Sequence, residues 1–353
     1  MRHLSLEQFE NFLLPKVNDA RTPELVIFEL TYGCNLKCVH CSNPTHKSLP
    51  HELTTKEVCS ILDQLVDLGV LTLCFTGGEL FVRPDVFAIL ERAKRLGFLL
   101  ELISNATRIT PSVADRLHRL QFQRLCFSIY GATQAIYEHV TGIPGSFKQF
   151  LQGLECAASK QLPVSAVRMP VMTVNAHEVR DAKALVEHYG FKFQYCVEIF
   201  PRTDGDPTPL AFRLSPVDKV RLLETFCDDH ASQSTDEVCP STDRFIECAC
   251  GLNRFAITAY GEMNLCTGFP IPRYDLRKGT VKEGWEVLKS TVDEARPNHH
   301  YECPSCELRR CCNQKRNHAW LETGDMSSCL PHFKQWAELE HRTHALLDPR
   351  RPR

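Results

Sequence analysis

The sequence predicts an α/β protein: a partial (β/α)6 TIM-like barrel followed by a small cysteine-rich domain. Three observations predict it. Apolar, β-branched runs alternate with segments of helical spacing through the first two hundred residues, which implies a parallel sheet with right-handed crossovers. After Ile199 the alternation stops at "PRTDGDPTPL", rich in Pro, Asp and Gly. The chain also carries 18 cysteines in 353 residues, and twelve of them gather at two places: just after the first apolar run, and between Cys239 and Cys329.

Residues 1–22 alternate charged and apolar side chains, so this N-terminal extension does not read as a secretory signal. The barrel is expected over 23–200. Its strands are "LVIFEL" (25–30), "LTLCFT" (71–76), "LLELIS" (99–104), "RLCFSI" (124–129), "SAVRMPVM" (165–172) and "KFQYCVEI" (192–199). Helical spacing covers 54–69, 84–96, 111–120, 146–160 and 176–189. In the first of these, Thr54 or Thr55 can cap, Glu57 can answer the cap, and Gly69 ends the helix. A linker and bridging helix are expected over 201–240, with the helix at 216–229. The cysteine-rich domain covers 241–345 and is loop-heavy, with a last helix at 331–347. Residues 346–353 form a basic tail.

With 43% hydrophobic residues the chain can bury a sizeable core. A net charge of −2 is unlike the strongly basic balance of nucleic-acid binders. No apolar run approaches the roughly 18 residues of a membrane span. A cytoplasmic protein with neither nucleic acid nor membrane as partner is expected. In a reducing compartment, cysteines read as metal ligands or buried thiols rather than disulfides. Cys59, Cys74, Cys126, Cys156, Cys196 and Cys227 lie in periodic segments and read as small buried hydrophobes.

Cys34, Cys38 and Cys41 do not. They follow strand one on a loop at its C-terminal end, where barrels of this class place their chemistry. A zinc site wants four ligands, commonly in CxxC pairs. Three thiolates on one loop suit three corners of a [4Fe–4S] cluster, with the fourth iron an open site.

"CNLKCVHC" has the CxxxCxxC spacing of the radical S-adenosylmethionine (SAM) superfamily and resembles many of its members residue for residue. The resemblance implies that the open iron chelates S-adenosyl-L-methionine. One electron then cleaves a C–S bond, and a 5′-deoxyadenosyl radical abstracts hydrogen from substrate. It also implies that His40, before the last cysteine, packs near the adenine. "FTGGEL" after strand two resembles the family's GGE motif, so Gly77, Gly78 and Glu79 are expected around the SAM amino group; read alone, Gly-Gly is a tight turn. "ISNAT" ends strand three, where relatives show a "TNGT"-like stretch near the ribose, and Ser104 and Asn105 are its candidates; the same residues would also serve as helix caps. "FSIYG" resembles "SIDG", which makes Ser128 a contact to ribose or carboxylate, with Tyr130 in the place of the Asp. His139 stands where relatives often carry an arginine, and Arg168 on strand five is the expected substitute. An arginine buried in an apolar strand needs an anionic partner.

The second cysteine block resembles the SPASM extension of radical SAM maturases. Cys303, Cys306, Cys312 and Cys329 are the implied ligands of one auxiliary iron–sulfur cluster. Cys248, Cys250 and Cys266 supply three ligands for a second. The pattern's next cysteine is Arg316 here, so the second cluster has an open fourth position, is of lower nuclearity, or is completed by Cys311. The alternative is a zinc-stapled domain, since CPSC is also a zinc-knuckle spacing. The resemblance covers roughly 25–330. It implies a peptide-modifying enzyme acting on a ribosomally made precursor peptide by crosslinking, epimerisation, backbone excision or oxidation, with local likeness to the maturase of the quinone cofactor PQQ. Sulfatase-type maturases carry an Asp base after the cysteine matched by Cys266; here the residue is Thr267. The expected partners are the precursor peptide, a separate leader-peptide recognition protein, and a flavodoxin or ferredoxin-type reductant. Two other readings stand beside this one. They are a radical SAM enzyme acting on a small molecule or porphyrin side chain, and a non-catalytic iron–sulfur or zinc protein.

Overall fold

The first strand, β1 (Leu25–Thr31), sets the pattern for the sheet: Val26, Phe28 and Leu30 are buried, while Ile27 and Glu29 turn to the other face. Side chains alternate with period two along a strand, so each strand gives one row to the helices and one to the concave face. The computed structural model describes residues 20–226 and 244–347, with side chains as far as 342. Five strands follow β1, each parallel to the one before: β2 (Thr72–Gly77), β3 (Leu99–Ser104), β4 (Arg124–Ser128), β5 (Val164–Pro170) and β6 (Phe193–Cys196). The predicted (β/α) alternation is the observed one, and the sheet forms an open partial barrel.

Between the strands run α1 (Thr55–Asp67), α2 (Val86–Arg95), α3 (Pro111–Leu120), α4 (Gln134–Thr141), α5 (Ser146–Ser159) and α6 (Val179–His188). Thr54 is the cap of α1, with Glu57 closing a full capping box. Helix α4 is an addition to the expected elements. Its two turns between Thr133 and Gly142 bury only Tyr137, Val140 and Thr141, too short a run for periodicity to declare itself.

Past the linker comes α7 (Pro216–Thr225). The expected boundary at 240/241 does not separate two cores. Strand β7 (Arg254–Ile257) lies parallel to β1, and β8 (Glu262–Asn264) and β9 (Tyr274–Asp275) continue antiparallel. Among the described residues the sheet order is β6-β5-β4-β3-β2-β1-β7-β8-β9. Phe28, Phe75 and Phe127 share one core with Phe255, Met263 and Trp285. Trp285 comes from α8 (Val281–Glu294), a second addition, started by the Thr280–Glu283 capping box. The cysteine-rich remainder holds α9 (Arg316–Thr323) and α10 (Pro331–Leu347). Leu330, Phe333 and Trp336 make a small separate cluster against Val220 and Leu223 of α7. The Lys219 ammonium lies 3.1 Å from the centre of the Trp336 ring.

Cys227, Cys239, most of the N-terminal extension and the basic tail from 348 lie outside the described residues. Among the described residues, no helix is long and apolar enough to cross a membrane.

Candidate active site

The loop after β1 is held by its backbone. Cys34 N–H donates to His46 O (3.1 Å), Lys37 N–H to Thr141 O (2.8 Å) and Val39 N–H to Val140 O (3.0 Å). Cys41 N–H turns back to Cys38 O (3.1 Å). The end of α4 therefore serves as a template for the cysteine loop. Cys38 is buried, and Cys34 and Cys41 are half-buried. Burial pushes the Cys34 thiol up to about 12 and raises Cys38 and Cys41 as well. Three thiolates are stable together here only against positive charge, which a metal centre provides. The donor set fits such a centre: Leu36 N–H already points at Cys34 Sγ (3.4 Å), and Asn105 Nδ2 stands 3.9 Å from the same sulfur. As the side chains stand, no three His, Cys, Asp or Glu groups among the described residues are set to hold a single metal ion. The His40 ring lies 5.4 Å from that of Tyr130, its Nδ1 is buried without a partner, and burial lowers it to about 4, so it is a neutral imidazole.

Gly77 and Gly78 close the turn after β2 directly on the cysteine loop. Gly78 N–H donates to Thr31 O (2.7 Å) and Glu79 N–H to Gly33 O (2.9 Å). A Cβ on Gly78 would collide with the carbonyls of Gly33 and Tyr32. The Gly-Gly pair is thus a close backbone approach as well as a turn. Glu79 is fully buried, and its carboxylate accepts from Asn105 N–H (2.7 Å), Phe81 N–H (3.2 Å) and Ser104 Oγ–H (2.9 Å). Burial raises its pKa while these donors oppose the rise. In this geometry Glu79 is a strut that shapes the turn after β3. Ser104 and Asn105 do not cap a helix, since Thr110 caps α3. Asn105 instead reaches Asn35 Oδ1 (3.2 Å) and Cys34, joining the Gly-Gly-Glu turn to the cysteine loop.

Ser128 ends β4 on the concave face, in register with Arg168. Arg168 corrects an expectation. It is exposed rather than buried, and its Nη2 donates to Gln194 Oε1 at 3.1 Å. Helices cover one face of β5, but the other is open, so the desolvation argument for an anionic partner does not apply. His139 is exposed in the last turn of α4. Tyr130, noted in the sequence only as a departure, is buried, and its hydroxyl favours the thiolate of Cys38 against the rise that burial causes. One further group went unseen. Glu29 faces the concave side, accepts from the Tyr32 hydroxyl (2.9 Å), and is pushed up to about 7 by burial. The signal was available: in "FELTY", Glu29 alternates with Phe28 and Leu30 and must face the opposite way.

The C-terminal cysteines line two neighbouring cavities. Cys303, Cys306, Cys312 and Cys329 surround one of about 130 Å³, with Tyr301 and Arg316. Cys248, Cys250 and Cys266 line the other, about 210 Å³, with Lys315, Arg316 and Asn317. Arg316 therefore borders both, and its Nη2 lies 3.6 Å from Cys303 Sγ. The Cys311 sulfur stands 4.0 Å from His341 Nδ1 on α10 and lines neither cavity. The scattered cysteines also differ from expectation. Cys74 is buried, but Cys59, Cys126, Cys156 and Cys196 are only partly so. Cys126 and Cys196 lie on the concave face, which is not packed against helices.

Residues 28–186 match the family model described as the radical SAM superfamily. The AdoMet-dependent heme synthase of Methanosarcina barkeri is 28% identical over 333 residues, covering 86% of this chain and 94% of the relative. Mycofactocin maturase MftC of Mycobacterium ulcerans is 34% identical over 185 residues, 52% of this chain. The aligned part spans about half of that relative, 48% of its length. Among solved structures, Streptococcus suis SuiB bound to S-adenosylmethionine superposes with TM-score 0.70 at 14% identity, over 94% of this chain and 84% of SuiB. The anSMEcpe structure with bound AdoMet and Cp18Cys peptide gives TM-score 0.67 at 18% identity, over 92% and 98%. These structural likenesses concern the fold.

Proposed function

We propose that this chain, which belongs to the radical SAM superfamily, cleaves S-adenosylmethionine reductively and turns the radical onto a substrate in the concave face of its half-barrel. The observation that carries this is the joining of two motifs. The thiols of Cys34, Cys38 and Cys41 sit on a loop against which the Gly77–Gly78–Glu79 turn packs through its backbone. When bound there, a [4Fe–4S] cluster supplies the electron that breaks the C–S bond of SAM. The chain's own residues do the rest. The three cysteines hold the cluster. Gly77 and Gly78 bring the backbone of the turn close beside it for the SAM amino group, and Glu79 keeps Ser104 and Asn105 in place beside the ribose. His40 offers a neutral ring for the adenine. Ser128 and Arg168 face the side on which the carboxylate would lie. Cys303, Cys306, Cys312 and Cys329 hold an auxiliary cluster. Cys248, Cys250 and Cys266 hold a second, whose fourth position is open because Cys311 points to α10.

The substrate we infer is a residue of a ribosomally made precursor peptide, delivered by a separate leader-peptide recognition protein, in a reducing cytoplasm with a flavodoxin or ferredoxin-type reductant. The likeness to mycofactocin maturase over 52% of this chain and the shared fold with SuiB, one structure of which holds the precursor peptide SuiA, support it. A second reading, a porphyrin side chain as substrate, is favoured by one observation: the heme synthase relative aligns over 94% of its own length and 86% of this chain. Anaerobic incubation of reduced, reconstituted protein with SAM should yield 5′-deoxyadenosine; none would overturn both readings. A mass change in candidate precursor peptides supports the first, and loss of carbon dioxide from a porphyrin carboxylate supports the second.

A further inference from the structure

Three thiols on the concave face have no role in the reading above. Cys74 on β2, Cys126 on β4 and Cys196 on β6 come from alternate strands. Sheet register fixes which way they point. Cys74 pairs with Glu101, Cys126 with Ala166, and Cys196 with Pro170, and Arg168 pairs with Gln194 between them. The residues on either side of each cysteine, such as Leu73, Phe75, Leu125, Phe127, Tyr195 and Val197, are buried against the helices. The cysteines therefore face away from that layer. The Arg168 guanidinium acts electrostatically on all three, and Cys126 on each of the other two, so the three share one region of the concave face. Cys126 lies two residues below Ser128, roughly 6–7 Å deeper than the strand end. Burial pushes Cys74 and Cys196 up to about 12 and raises Cys126, so each keeps its hydrogen at neutral pH. These are neutral S–H groups below the site where a radical would be released.

A sulfur–hydrogen bond is weaker than an aliphatic carbon–hydrogen bond, whereas O–H and N–H bonds are not. A carbon radical beside a neutral thiol takes its hydrogen readily. We propose that Cys126, flanked by Cys74 and Cys196, is the hydrogen-atom donor of the concave face and returns a hydrogen to the substrate carbon radical from below. This rests on the radical chemistry proposed above. The S–H bond breaks and a C–H bond forms, leaving a thiyl radical on cysteine. One electron from a low-potential donor protein of the flavodoxin or ferredoxin class, and one proton from solvent, restore the thiol. The chemistry suits a reaction that inverts or saturates a carbon centre, where the product regains a hydrogen that comes from water.

Thiol hydrogens exchange with solvent, so the test needs no identified substrate. Reconstituted, reduced protein in deuterium oxide is given SAM alone, and the deuterium carried by each molecule of 5′-deoxyadenosine is read by mass spectrometry. The wild type should place solvent deuterium in most of its product. The triple variant Cys74→Ala, Cys126→Ala, Cys196→Ala should place at least about tenfold less. The value is per product molecule, so it is read whatever the total yield. If the triple variant does not retain iron, Cys126→Ser alone should still lower the deuterium fraction about threefold or more. Product without deuterium from the wild type, or an unchanged fraction in Cys126→Ser and in the triple variant, overturns the proposal. Absence of any 5′-deoxyadenosine from the wild type overturns the reading beneath it instead.

Discussion

The loop of Cys34, Cys38 and Cys41 is tied to distant parts of the chain, through backbone bonds to His46, Val140 and Thr141 and through the Gly78 turn. The loop of Cys303, Cys306 and Cys312 bonds within itself: Cys306 N–H to Cys303 O, Arg309 N–H to Cys306 O, Cys311 N–H to Leu308 O. The first sits on a large shared core, while the second leans on a small cluster of Leu330, Phe333 and Trp336. One cysteine site is thus shaped by the fold before any cofactor binds. The other takes a larger part of its order from what it binds, because binding energy at such a site is also folding energy.

The largest expected effect breaks the comparison at its first member. Replacing Cys34, Cys38 and Cys41 by Ala should abolish SAM cleavage and lower bound iron by about four per chain. Retained 5′-deoxyadenosine formation in that variant would end the assignment of the triplet.

Backbone substitution comes next. Gly78→Ala drives a methyl group into the carbonyls of Gly33 and Tyr32 and should cost about 3 kcal/mol or more in unfolding free energy. Gly268→Ala, beside the cavity of Cys248, meets only the Asn317 amide at 3.5 Å and should stay within about 0.5 kcal/mol. Equal urea midpoint shifts in the two variants would remove the contrast between a backbone-tied region and a looser one.

A third prediction concerns the clamp between the barrel and the C-terminal region. Lys219 is buried on Trp336, 3.7 Å from Glu198, and burial lowers its pKa from 10.5 to about 8. Below pH 8 the lysine is charged in both the folded and the unfolded chain, and the burial penalty is fully present. As pH rises from 8 to 10.5 the folded chain gives up its proton first, and the penalty disappears. That change is worth roughly 3 kcal/mol. Wild-type stability should therefore rise with pH across this window relative to Lys219→Met, measured as urea midpoints at pH 7.5 and 10. Parallel pH dependence in the two proteins would mean the ammonium is not desolvated as the fold implies.

The smallest effect is expected at Cys311. Its sulfur faces His341 rather than the cavity of Cys248, Cys250 and Cys266. Cys311→Ala should leave iron content and the Mössbauer spectrum of reconstituted protein unchanged. Loss of one cluster's signal would place Cys311 among the ligands.

Some features were legible because they are local. Strand and helix alternation needs only neighbouring residues, which is why five barrel helices and six strands were found close to their observed bounds. Three helices were missed, α4, α8 and α9, and the first two fail for different reasons. Helix α4 is too short to show a period. Helix α8 lies in a region whose cysteine content drew attention to loops, although its Thr280–Glu283 capping box was readable in "TVKE". The three-cysteine spacing was readable because its ligands share one loop. The role of Tyr130 was not, because its contact with Cys38 crosses ninety-two positions of sequence.

What the sequence by itself determined is the list of chemical groups and the elements that carry them: the alternation, the cysteine triplet, the Gly-Gly-Glu turn and the second cysteine block. These depend on residue type and short spacing, which folding does not alter. Only the tertiary structure decided which way groups face and what they meet. It put Arg168 in the open and Glu79 out of water, merged the expected second domain into the barrel sheet through β7, and turned Cys311 away from the cavity it was a candidate to complete. The physical reason is that facing and burial are set by strand register and by which helix covers which side. Register joins residues that lie tens to hundreds of positions apart, and no local spacing records it.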